Sequence, residues 1–135
     1  MIVRLIPSRQ FLRASLVVIF SVLAGTGGYA AELLMFEQPA CPFCAAFNRE
    51  IAPDYPQSRA GRMAPLRHVD IHQSRTGGIE GLDPAVFTPT FVLVEKGREV
   101  GRLLGYPGRR YFYPEIQSLL DKLPPAPKSA AAPVR

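Results

Sequence analysis

The sequence is poor in the side chains that build metal centres and disulfide frameworks. It holds two cysteines and two histidines in 135 residues, and no tryptophan. A network of several bridges is therefore excluded. The cysteines lie three apart in CPFC, Cys41 and Cys44, and the histidines, His68 and His72, lie four apart. A finger-like zinc site separates its two ligand pairs by about 12 residues. Here 23 intervene, from Ala45 to Arg67, so no metal is expected and the histidines read as ordinary strand-end residues. Covalent haem requires a histidine directly after the second cysteine, and Ala45 stands there. There is also no internal repeat and no RNP, zinc-finger or helix-turn-helix pattern.

The ends of the chain differ from its middle. Arg4, Arg9 and Arg13 precede an apolar run of 12 residues, Ala14 to Gly25, and then GGYA. That is the build of a secretory signal. The run is short for a spanning helix, which needs about 20 residues; a retained membrane anchor is the competing reading. A cut after Ala30 puts Gly28 and Ala30 in the small-residue positions, making 1–30 the signal, 31–123 one small domain and 124–135 a Pro- and Ala-rich disordered tail. Without the signal, 13 basic side chains face 11 acidic ones and the net charge falls from +5 to +2. Nucleic acid is thus not an expected partner. Export would place the two cysteines in an oxidising compartment, where they pair unless kept reduced.

Between these ends the hydrophobic pattern alternates in period. Glu32 to Phe36 suits a buried strand. From Cys41 the apolar residues Phe43, Phe47 and Ile51 recur every four, predicting a helix that Pro42 can open and Pro53 must end. Asp54 to Met63 reads as a polar turn region, and Ala64 to Ile71 as a second strand. A loop follows, with a helical turn expected near Asp83 to Val86. Thr90 to Glu95 and Arg98 to Leu104 form a hairpin across Lys96 and Gly97. Phe112, Ile116, Leu119, Leu120 and Leu123 make the apolar stripe of a last helix, with Pro114 near its start. The order predicts an α/β fold: a small mixed central sheet flanked by helices, its first two strands parallel and its last two antiparallel.

Only a thiolate attacks a disulfide. At pH 7 a free cysteine of pKa about 8.5 is about 3 % ionised, while one lowered to about 7 is half ionised. A helix opening at Pro42 aims unpaired N–H groups and the positive end of its dipole at Cys41, the expected nucleophile. Cys44, one turn inside, is then the resolving thiol. As a staple the pair is weak: closing a four-residue loop contributes about 1.9 kcal/mol against about 3 for a loop of fifteen.

CPFC at a helix start, followed by FTPTFVL with Pro89 45 positions after Cys44, resembles the thioredoxin-fold thiol-disulfide oxidoreductases. The resemblance runs from Glu32 to Leu123. It implies a cis Thr88–Pro89 bond, Pro89 against the disulfide and keeping metals off the thiols, the backbone of Thr88 pairing with an extended substrate segment, and Gly105 and Tyr106 beside the site. The segments EIAPDYPQSRAGRMAPLRHVDIH and GREVGRLLGYPGRRYF are similar to the periplasmic thioredoxins of bacterial sulfur-oxidation (Sox) systems, the SoxS type. Those are implied to reduce a disulfide on the sulfur-carrier protein with electrons from a membrane thiol-disulfide transporter, without a cofactor. A monomer is expected.

There are departures. Ala40 replaces the tryptophan usual before the first cysteine. Met35 stands where thioredoxins bury an aspartate that handles a proton for the resolving thiol. Glu37 can serve instead only if its side chain faces inward; a surface glutamate is the ordinary case. CPFC is nearer the glutaredoxin CPYC than the thioredoxin CGPC, but export and the lack of a glycine pair after the hairpin argue against a glutaredoxin. Phe43 and Tyr106 are candidates for apolar substrate contact, with a core role for Phe43 as even alternative. The expected function is reduction of protein disulfides. Its rivals are an oxidase of the same fold, a copper- or metal-binding module using the CPFC thiols, and an interaction domain with an inert disulfide. Phe43 brings no positive charge beside Cys41, which favours a reducing couple.

Overall fold

The computed structural model describes residues 31–125; the expected signal and residues 126–135 of the expected tail lie outside them. Strand β1 (Ala31–Glu37) leads to helix α1 (Pro42–Glu50), a 3-10 turn (Tyr55–Gln57), helix α2 (Arg59–Met63) and strand β2 (Leu66–Asp70). Strands β3 (Thr90–Glu95) and β4 (Arg98–Leu104) and helix α3 (Arg109–Leu120) complete the elements of the described residues. The sheet order is β2-β1-β3-β4. β1 runs parallel to β2 and antiparallel to β3, and β3 antiparallel to β4, the mixed sheet expected of the sequence. Lys96 and Gly97 both take positive φ, 50° and 75°, as a two-residue hairpin turn requires.

β1 is central and buried on both faces. Leu33 and Met35 point into a core shared with Phe47 of α1 and Phe112, Ile116 and Leu120 of α3. Leu34 and Phe36 point to the other face, which Val69, Leu82 and Ala85 cover. Both long helices therefore lie on one side of the sheet, and the segment between β2 and β3 closes the other. This explains a failed expectation: Asp83 to Val86 contains no helical turn. Leu82 and Ala85 are spent as a lid on Val92 and Val94, and the Asp83 carbonyl accepts from Arg102 of β4 at 3.0 Å.

The expected polar turn at 54–63 is also corrected. Ser58 caps α2, its hydroxyl accepting from the Gly61 N–H at 2.9 Å and donating to the Tyr55 carbonyl at 2.6 Å. The helix packs so closely that a Cβ on Gly61 would lie 1.9 Å from the Tyr55 carbonyl oxygen. Tyr55 itself is fully buried. α3 begins five residues before Pro114, earlier than the sequence suggested. Pro114 removes one helical hydrogen bond, but the extra turn carries Phe112 into the centre of the core.

The Tyr55 hydroxyl donates to the Ala64 carbonyl at 2.9 Å, tying the turn to the start of β2. Burial, with a smaller contribution from nearby Tyr113, pushes its pKa well above the ordinary tyrosine range. An unfolded chain releases this proton near pH 10 while the folded one holds it, so stability is complete below about pH 10 and declines above it. Tyr55→Phe is expected to cost about 1 kcal/mol at neutral pH by orphaning the Ala64 carbonyl. That deficit should narrow in urea unfolding repeated above about pH 10.

Candidate functional site

β1 ends at Glu37, and Ala40 turns the chain with φ of 61°. Cys41 then takes an extended conformation as N-cap of α1, with Pro42 directly after it. In place of the usual oxygen, the Cys41 Sγ accepts the Cys44 N–H at 3.2 Å. The two sulfurs are joined, with Cα atoms 5.2 Å apart. The cap therefore directs free amides and the helix dipole at the first sulfur. Cys41 is 8 % exposed and Cys44 3 %, so the first cysteine is slightly the more exposed.

The Thr88–Pro89 bond is cis, and Pro89 is buried. Its carbonyl accepts from the Gly105 N–H at 2.8 Å, drawing the end of β4 to this loop. Thr90, also buried, donates its hydroxyl to the Phe87 carbonyl at 2.8 Å and closes the turn from within. Thr88 is half-buried and shares a groove with Gln38, which also borders the depression holding both cysteines. Gln38 thus borders both the groove beside the loop and the depression beside the disulfide.

Phe43 is 62 % exposed between the two cysteines, which removes its core reading. The buried stripe of α1 and its cap is Cys44, Phe47 and Ile51. Tyr106 is partly buried against Phe47, ring centroids 5.7 Å apart. Its hydroxyl donates to the Glu50 carboxylate at 2.6 Å. Burial first, then this bond, pushes the phenol up to about 12. Tyr106 thus braces α1. Val86, Phe87 and Leu104 were not singled out by sequence, yet each is an exposed apolar side chain close to Pro89 or Gly105 in the chain. For Val86 and Phe87 the position just before Thr88–Pro89 is the available signal, and for Leu104 the position just before Gly105.

Met35 is fully buried. Glu37 accepts from Asn48 Nδ2 at 3.0 Å and lies 2.8 Å from His68 Nδ1. It borders, with Cys41, Cys44 and Asn48, a depression of about 340 Å³. Glu37, expected as a surface glutamate, and His68, expected at a strand end but placed in the middle of β2, thus form one cluster. Asn48 was missed, although its place four residues after Cys44 puts it on that face of the helix. His72 lines a different groove, so the two histidines do not converge on the thiols.

The chain matches the thioredoxin-like domain family over residues 21–120. It is similar to the crystal structure of the periplasmic thioredoxin SoxS from Paracoccus pantotrophus in its reduced form. Identity is 44 %, coverage 68 % of this chain and 97 % of that one, and the TM-score 0.64. A thioredoxin from Thermus thermophilus is 27 % identical over 68 % of this chain and 75 % of its own, TM-score 0.50. Fasciola hepatica thioredoxin, 18 % identical over 67 % and 81 % with a TM-score of 0.52, shares the fold. No curated protein matches the chain.

The exposures of the two phenylalanines separate surface from core. Phe43→Ala should change unfolding free energy by less than about 0.5 kcal/mol while slowing reduction of a protein disulfide. Phe47→Ala should cost about 3 to 5 kcal/mol, measured by the same urea titration.

Proposed function

The chain belongs to the thioredoxin-like family, a thiol-disulfide oxidoreductase in fold and cysteine spacing, and from that premise we propose that it is a periplasmic reductase of protein disulfides. The observation that carries this reading is Cys41 as N-cap of α1, its sulfur bonded by the Cys44 N–H. A cap that donates to sulfur favours the thiolate as leaving group and as nucleophile.

In the reduced protein the Cys41 thiolate attacks one sulfur of the partner's disulfide. A bond forms between Cys41 and that sulfur, and the partner's other sulfur leaves as a thiolate and takes a proton. Cys44 then loses its proton to solvent and attacks Cys41. The partner leaves as a dithiol and Cys41–Cys44 is oxidised, two electrons having passed without a cofactor. The backbone of Thr88 pairs with the partner segment, Pro89 shields the thiols, and Phe43 with Tyr106 supplies apolar contact. Export by residues 1–30, a monomeric state, electron supply by a membrane thiol-disulfide transporter and the Sox sulfur-carrier protein as partner follow the SoxS-type reading. The likeness to the Paracoccus periplasmic thioredoxin supports it.

Cys44→Ser should accumulate a mixed disulfide between Cys41 and the partner, identified by mass spectrometry of trapped complexes, and Cys41→Ser should abolish insulin reduction. Full activity in Cys41→Ser removes the assigned nucleophile. A midpoint potential near about −270 mV supports the reductase, and one near about −120 mV makes the protein an oxidase.

A further inference from the structure

Two depressions meet at Gln38 and differ in charge. One is bordered by Glu37 and Asp70. The other, about 380 Å³, lies between Gln38, His72, Arg75 and Thr88 and has no acidic residue in its lining.

Arg75 is held there at two points by the residue three positions before Thr88. Its carbonyl accepts the Ala85 N–H at 2.7 Å, and its Nε donates to the Ala85 carbonyl at 2.7 Å. Arg67 and Arg102 spend their guanidinium groups on Glu32 and Glu99. Arg75 forms no ion pair among the described residues. Nε is engaged while Arg75 is otherwise exposed, and its two terminal nitrogens form no hydrogen bond among the described residues; such a fork takes a carboxylate through two hydrogen bonds. The Nε bond to Ala85 restricts the rotamers of the side chain, which lowers the entropy cost of binding. His72 stands on the same groove at a turn fixed by its own N–H, which donates to Asp70 Oδ1 at 2.8 Å.

We propose that this groove is a specificity subsite that binds an acidic side chain of the partner segment, close to the disulfide being reduced. The proposal rests on the reading that the segment runs along Thr88. It narrows the partner to one whose disulfide is flanked by Asp or Glu.

The test uses the reduced full-length protein and peptide disulfides with amidated C-termini, each made with Glu or Gln at successive positions beside the cysteine. At one position the Glu peptide should be reduced about threefold to fivefold faster. The gap should lie in the half-saturating concentration rather than the limiting rate, and should close in Arg75→Gln. In the wild-type protein it should also shrink as salt is raised, a readout that needs no variant. Equal slowing of both peptides by Arg75→Gln would reduce Arg75 to a clasp for Ala85. A Glu-to-Gln ratio of one at every position in the wild type overturns the subsite while leaving disulfide reduction intact. Failure to reduce the Gln peptides at all overturns the reductase reading itself.

Discussion

Three aromatic rings under the dithiol hold the working parts in register. Phe47 of α1, Phe91 of β3 and Phe112 of α3 pack with centroids 4.8, 5.0 and 5.2 Å apart. Each such pair contributes about 0.5 to 1.5 kcal/mol beyond the area it buries. The geometric effect matters more than the sum. Phe47 lies one turn beyond Cys44, so the rings fix how far α1 advances over the sheet and where its N-terminus points. Phe91 lies two residues beyond Pro89, so the same contact sets the cis-proline loop against the helix start. Tyr106 joins from the end of β4, edge-on to Phe47 and hydrogen-bonded to Glu50. Three loops from distant parts of the chain are thereby referred to one cluster.

Much of this was legible beforehand, because it depends on local chemistry. The strands announce themselves by β-branched and apolar runs, the hairpin by Lys96-Gly97, and the helix start by Pro42 after Cys41. The nucleophile's setting needs only that start. The Thr88–Pro89 loop came from resemblance rather than from any period in the residues. What stayed hidden depends on which surfaces face each other. A repeat of four in Phe43, Phe47 and Ile51 and a spacing of three and four in Cys44, Phe47 and Ile51 describe adjacent stripes of one helix. Only the sheet's position selects the second and leaves Phe43 in solvent. Likewise Tyr55 sits in a polar stretch whose composition conceals that one ring is swallowed whole.

The hidden parts also include the polar framework of the site. Glu37, Asn48 and His68 come from three elements, and their meeting requires the parallel register that sets Glu37 against Asp70 and Met35 against His68. No sequence spacing encodes it. Met35 completes the trade. An apolar side chain there keeps the core beneath Cys44 continuous, where a carboxylate would pay a desolvation cost. The acid has moved outward along the same strand to Glu37, whose side chain remains 26 % exposed.

Packing under the helix is left to rings and aliphatics. The Glu37 carboxylate at the strand end borders the same opening as the two cysteines. Gln38 borders this opening, the acidic depression beside it and the groove of Arg75 and His72. In the proposed function, chemistry and recognition occupy opposite sides of one residue at the end of β1. A change in the groove can alter which partner is accepted without disturbing the cap that prepares Cys41.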